Sequence, residues 1–177
     1  HVHSRYSDRP SEWFLRRIGA PESFVAPRKV YESCRAAGMD YVTISDHNCI
    51  DGALWLNKTY PHDTFVGVEV TTYFPEDGAK IHVLVYGLNS SQFDDIERIR
   101  TDIYQLSAYV HAERLPHSVA HATFSVNGRL TLWHVERLIL LFDCFEGING
   151  ARPAGGNETV CSVVASLTAD HITHLAS

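Results

Sequence analysis

Phe65-Val66-Gly67-Val68-Glu69-Val70-Thr71-Thr72, a turn at Pro75-Glu76-Asp77-Gly78, and Ile81-His82-Val83-Leu84-Val85-Tyr86 form the stretch on which the fold reading turns. Two runs rich in β-branched residues flank a compact turn signal, which reads as a β-hairpin. Glu69 stands inside the first run and His82 near the start of the second. A lone carboxylate in an apolar strand is costly to bury unless it is paired or binds a metal; otherwise its strand face is open to water. Glu69 and His82 lie nearly equidistant from the turn, and cross-strand neighbours have Cβ atoms about 4.5–5.5 Å apart. The pair is therefore expected to share or bridge cations.

Toward the N-terminus, Tyr41-Val42-Thr43-Ile44 reads as a buried strand that ends in Ser45-Asp46-His47-Asn48. Pro27 to Ala37 reads as a helix, with Pro27 in its first turn and Gly38 as its stop. Trp13 to Ile18 reads as a short helix, and a further short helix runs from Asp51 through Leu56. The chain opens on His1-Val2-His3-Ser4-Arg5-Tyr6-Ser7-Asp8. If Val2 is extended, both imidazoles point to one side, as a shared transition metal requires. Taken alone, a His-x-His pair fits a surface feature or a tag remnant equally well.

Toward the C-terminus, Ile96, Ile99, Ile103, Leu106 and Val110 recur at helical spacing and predict one long helix over Ser91 to Leu115, ended by Pro116. Val119-Ala120-His121 reads as a strand tip, Leu132 to Phe142 as a helix, and Phe145 to Ile148 as a last strand. Glu146, Asn149 and Arg152 stand at or just after that strand, and Glu158 to Ala176 is helical in pattern. Strand and helix mostly alternate, which predicts an α/β fold with a largely parallel sheet or barrel. In such folds the sites lie at the carboxyl ends of strands. His47 and His121 fall there; Asp46 is expected to cap or to support a ligand. His121 also fits a core histidine bonded to backbone, and Arg152 a solvated loop charge. His62, His111, His117, His134, His171 and His174 read as structural or solvent-exposed.

At 177 residues the chain is the size of one ordinary domain, read as residues 1–177. A formal charge of −6 argues against a general nucleic-acid binder, and leaves nucleic acid as a substrate only. No run of about 18 apolar residues is present, so no helix is expected to span a membrane. Cys34, Cys49, Cys144 and Cys161 form no metal-finger spacing, and a reducing cytoplasm is expected.

The ordered set resembles the PHP (polymerase and histidinol phosphatase) family of metal-dependent phosphoesterases. The residues that carry it are His1-Val2-His3-Ser4 with Ser7-Asp8, Ile44-Ser45-Asp46-His47-Asn48, Gly67-Val68-Glu69-Val70, Ile81-His82-Val83-Leu84, Val119-Ala120-His121 and Phe145-Glu146-Gly147-Ile148-Asn149. The resemblance implies a distorted seven-stranded (β/α) barrel with two or three divalent ions (Zn, Mn or Fe) on its rim. It implies that His1 and His3 bind one ion with Glu69. Glu69 bridges to a second ion held by His82 and His121, and Asp8 and His47 hold a third. The family's closing Asp-x-His motif has no counterpart, so the barrel is expected to be incomplete at its C-terminal end, and slightly at its N-terminal end. The implied activity is hydrolysis of a small phosphorylated substrate by a metal-bridging hydroxide, with Glu69 and Arg152 as catalytic residues. The alternative is a non-catalytic metal-binding domain of the same type, with a structural or partner-binding role.

Overall fold

The hairpin forms, and the candidate ligands are gathered around it. The structure, a computed structural model, describes residues 1–7, 17, 23–151 and 154–176. Strand β1 (Gly67–Tyr73) pairs antiparallel with β2 (Lys80–Tyr86), and Tyr73 stands opposite Lys80. The connection closes because Gly78 takes a positive φ of 73° and its N–H donates to Phe74 O at 2.8 Å. The Asp77 side chain accepts from Ala79 N at 2.8 Å, an Asx-type turn.

The seven-stranded barrel is not formed. Among the described residues the sheet is three-stranded and open, in the order β1-β2-β3, with β3 (His117–Val119) antiparallel to β2. The two segments expected as further parallel strands run beside it as isolated parallel bridges only. Val42 meets Thr64, His47 meets Glu69, and Phe145 meets Val119. The reason is physical. Continuous apolar strands usually mark a parallel sheet covered on both faces. Here the first six residues of β1 and the central five of β2 are buried, so an antiparallel hairpin with both faces covered carries the same pattern.

Helices α1 (Pro27–Ala36) and α2 (Asp51–Thr59) pack together on the N-terminal side. The single long helix of the sequence reading is two, α3 (Ser90–Ile99) and α4 (Ile103–Ala112). The break comes at Asp102, whose carboxylate accepts from Tyr104 N at 2.9 Å and Gln105 N at 3.3 Å and so starts a new helix. Helix α4 packs on β1. Ile96, Ile103, Leu106 and Val110 of the predicted stripe are buried, whereas Ile99, beside the break, is partly exposed. Helix α5 (Leu132–Leu141) follows, and the expected last helix is also two, α6 (Ala154–Ser166) and α7 (Ala169–Ala176). The predicted helix over Trp13 to Ile18 lies, apart from Arg17, outside the described residues.

One core joins these elements through Val68, Val70, Val83, Val85, Val119 and Leu138. Gly67 lets the segment 43–44 approach β1 closely. A methyl group there would stand 2.7 Å from Thr43 Oγ1 and 3.2 Å from Ile44 O. Gly67→Ala should therefore destabilise the protein by about 1–3 kcal/mol in urea unfolding, the usual cost of forcing extra volume into a packed interior. A midpoint unchanged from wild type would show that the approach is not tight.

Candidate metal centre

Glu69 is 1% exposed, and five imidazoles converge on its two carboxylate oxygens. His1 Nε2, His3 Nε2 and His47 Nδ1 lie 3.0, 3.2 and 3.3 Å from Oε2. His82 Nδ1 and His121 Nε2 lie 3.0 and 3.2 Å from Oε1. The five imidazoles arrive on four separate pieces of backbone.

His1 and His3 reach the carboxylate together because the first residues run alongside residues 45–47. Ser45 N donates to Val2 O at 2.9 Å, and Val2 N donates to Ser45 Oγ at 3.1 Å. Asp46 fastens this arm. Its Oδ1 accepts from Ser4 N at 2.6 Å and its Oδ2 from Ser4 Oγ at 2.7 Å. Asp46 thus supports the arm that carries His1 and His3. Burial raises its pKa, and the Ser4 bonds oppose that rise. The arrangement also needs Gly52 at the start of α2, where a methyl group would stand 2.6 Å from Asp46 Oδ2 and 2.8 Å from Ser4 Oγ.

His47 sits at an isolated bridge to Glu69 rather than after a formed strand, with its backbone N–H on Ser7 Oγ at 3.2 Å. His82 is not directly opposite Glu69. The register pairs Glu69 with Leu84 and His82 with Thr71, so the two are diagonal neighbours on one face. His121 lies beyond β3 in a turn, with a positive φ of 33°. Such a backbone is unusual for a residue with a β-carbon and is found where surrounding contacts over-determine it. Here the His121 N–H donates to Glu146 Oε2 at 2.9 Å. Asn48, at φ 47°, is held likewise, with its side chain on Thr71 N at 2.8 Å.

Glu146 is the participant to which the sequence reading assigned no role. Its Oε1 accepts from His1 Nδ1 at 2.8 Å, and its Oε2 also accepts from Asn149 Nδ2 at 3.0 Å. It thereby turns His1 Nε2 toward Glu69. The available signal was a carboxylate directly after Phe145, at the end of an apolar run. Asp8 and Arg152 fall outside the described residues.

The donor set fits divalent cations. A carboxylate has about four acceptor sites, fewer than the five rings crowded on it. His82 Nδ1 approaches Glu69 at an angle too poor for a hydrogen bond, and His82 Nε2 and His3 Nδ1 are buried without partners. Buried polar atoms in that state are rare. Two groups have ligand atoms within 4.8 Å of one another: His1, His3 and Glu69, and His47, Glu69 and His82. Each could hold one ion, with Glu69 common to both.

The charges are arranged accordingly. Burial opposes ionisation of Glu69, but the surrounding imidazoles outweigh it and hold the group well below the usual carboxylate range. Burial pushes His82 down to about 4, so it is neutral and ready to ligate. Burial also disfavours a charged His1, yet the Glu146 and Glu69 carboxylates raise it to about 10.

Comparisons with known proteins agree with this picture at the level of fold. No family model matches the chain. An uncharacterised protein of Methanocaldococcus jannaschii is 31% identical over 75 residues, which is 41% of this chain and 42% of that protein. The match thus spans less than half of the relative's length. Among solved structures, a candidate metal-dependent phosphoesterase from Bifidobacterium adolescentis superposes with a TM-score of 0.63 at 17% identity, over 93% of this chain and 82% of that one. An amidohydrolase from Chromobacterium violaceum, with bound sulfate and no metal, gives 0.59 at 12% identity over 78% and 77%. Among the described residues no helix is long and apolar enough to cross a membrane.

Because ligands bind metals in their deprotonated form, uptake must strip the proton that His1 carries below its raised pKa. Calorimetric titration of the metal-free protein with Mn²⁺ at neutral pH, in buffers of different ionisation heat, should show release of about one proton per chain, with affinity strengthening as pH rises. Uptake independent of buffer and pH would contradict a protonated His1.

Proposed function

We propose that this chain is a metal-dependent phosphoesterase of the PHP type, and that Glu69 bridges two of its ions. The observation that carries the reading is the buried carboxylate with five imidazoles on it. A carboxylate takes the bridging position, whereas a barrel amide or lactone hydrolase of the related kind calls for a bridging lysine. Lys58 is exposed on α2 and Lys80 stands at the outer end of β2. The ordered sequence motifs support a phosphate ester over an amide; the fold likeness extends to both a candidate phosphoesterase and an amidohydrolase.

In this reading His1 and His3 with Glu69 hold one ion, and Glu69 with His47 and His82 holds the other. His121, also on Glu69, completes the second set. Asp8 is proposed to supply a third position with His47. Divalent ions there would polarise a phosphoryl oxygen and make water more acidic. Zinc, manganese and iron all suit imidazole and carboxylate donors. The protein's own contribution is placement. Glu146 fixes the orientation of His1, and Asp46 fixes the arm that carries both N-terminal imidazoles. Arg152, three residues beyond Asn149, is proposed to hold a non-bridging oxygen of the phosphate as a forked donor.

The test is Mn²⁺- or Zn²⁺-dependent release of 4-nitrophenol from 4-nitrophenyl phosphate. Wild type should turn over, and Glu69→Gln should fall to background with an unchanged circular dichroism spectrum. Full activity in Glu69→Gln would sink the bridging role. Metal uptake by wild type without turnover on any phosphate ester would favour the non-catalytic metal-binding reading instead.

A further inference from the structure

Two cavities lie on the flanks of the imidazole cluster, and they differ in chemistry. One, of about 270 Å³, is mostly polar and carries the Asp51 and Glu97 carboxylates with Tyr6 and Asn48. The other, of about 220 Å³, is mostly apolar and opens directly on two members of the site, His121 and Glu146. Phe124 and Val160 form its apolar walls, and Thr123 and Asn157 complete it. The Phe124 ring stands edge-on to His121, with centroids 5.9 Å apart at 89°.

We propose that this second cavity receives the leaving group of the substrate, and that the group is an uncharged ring with few polar substituents. The proposal rests on the phosphoesterase reading and narrows its substrate class. Volume is the first support, since an apolar cavity of about 150 Å³ already accepts benzene. The state of the polar wall groups is the second. Thr123 Oγ1 donates to Gly156 O at 3.3 Å. Asn157 spends both ends of its amide on Asn149, accepting from its N–H at 3.1 Å and donating to its O at 3.2 Å. A polyol placed here would meet polar partners only at the His121 and Glu146 edge, and hydroxyls turned toward Phe124 and Val160 would gain none. A phosphorylated leaving group would bring its charge against Phe124, Val160 and the Glu146 carboxylate.

Position is the third support. Asn149 also donates to Glu146, which orients His1. The wall at Asn157 is thus joined by hydrogen bonds to a metal-ligand candidate. A ring seated against Val160 and Phe124 lies next to His121, where the ester oxygen would depart.

Two phosphonates that are not hydrolysed test the proposal on the metal-loaded protein. Phenylphosphonate should bind about tenfold or more tightly than 2,3-dihydroxypropylphosphonate, an effect on the scale of one ring buried in an apolar pocket. Val160→Phe, which fills the cavity, should remove that preference by weakening phenylphosphonate at least about tenfold more than the dihydroxypropyl compound. A second measurement needs neither metal nor a folded variant. Phenol added to the metal-free wild type should shift the amide resonances of Phe124, Gly156, Asn157 and Val160. Equal or reversed phosphonate affinities would overturn the proposal, as would phenol shifts confined to other residues. If phenol marks the cavity but neither phosphonate binds, the ring pocket stands and the phosphoesterase reading fails.

Discussion

The buried carboxylate of Glu69 is the constraint on which the rest of this structure depends. An ionised group at that depth demands compensation. The chain supplies it with imidazoles drawn from the first residues, from the bend after Ile44, from β2 and from the turn after β3. These segments are far apart in sequence and share little regular secondary structure. What they share is a ring nitrogen within 3.3 Å of one of two oxygens. Imidazoles alone satisfy this arrangement poorly, because five rings compete for two oxygens; cations would engage the ring nitrogens that face Glu69.

Holding such a cluster takes a supporting layer. Asp46 and Ser4 lock the N-terminal arm, and Gly52 leaves the room for that contact. Glu146 holds His1 by its ring and His121 by its backbone. Two residues at positive φ in the cluster, His121 and Asn48 beside His47, are pinned by hydrogen bonds from different elements. Two of the three non-glycine residues described at positive φ thus lie where placement of donors matters most; the third, Arg114, follows α4.

The residues gathered around Glu69 were legible in the sequence because their chemistry is conspicuous. A carboxylate between Val68 and Val70 is costly to bury without partners, and imidazoles at the ends of apolar runs stand where such partners can converge. The hairpin was legible from its turn residues, and α1 from Pro27 and Gly38. Sheet direction was not. Periodicity reports burial of both faces, which a covered antiparallel hairpin and a parallel sheet produce alike, so the barrel reading failed. The break at Asp102 was hidden because the apolar stripe keeps its spacing across it. The Glu69–His82 pairing was read one step off because equal distance from a turn does not fix register when the loop is longer than two residues. Glu146 had a recognisable position, but its role depends on where His1 lies, and only the fold brings the two together.

The most direct test of a shared carboxylate between two ions is the metal content per chain. Elemental analysis of the untagged protein, reconstituted with Mn²⁺ or Zn²⁺ and freed of excess by gel filtration, should return at least two equivalents for wild type. The Glu69→Gln variant, correctly folded, should lose both ions, because both groups use the same residue. Wild type that takes up no metal, or a Glu69→Gln protein that retains two equivalents, would contradict the account.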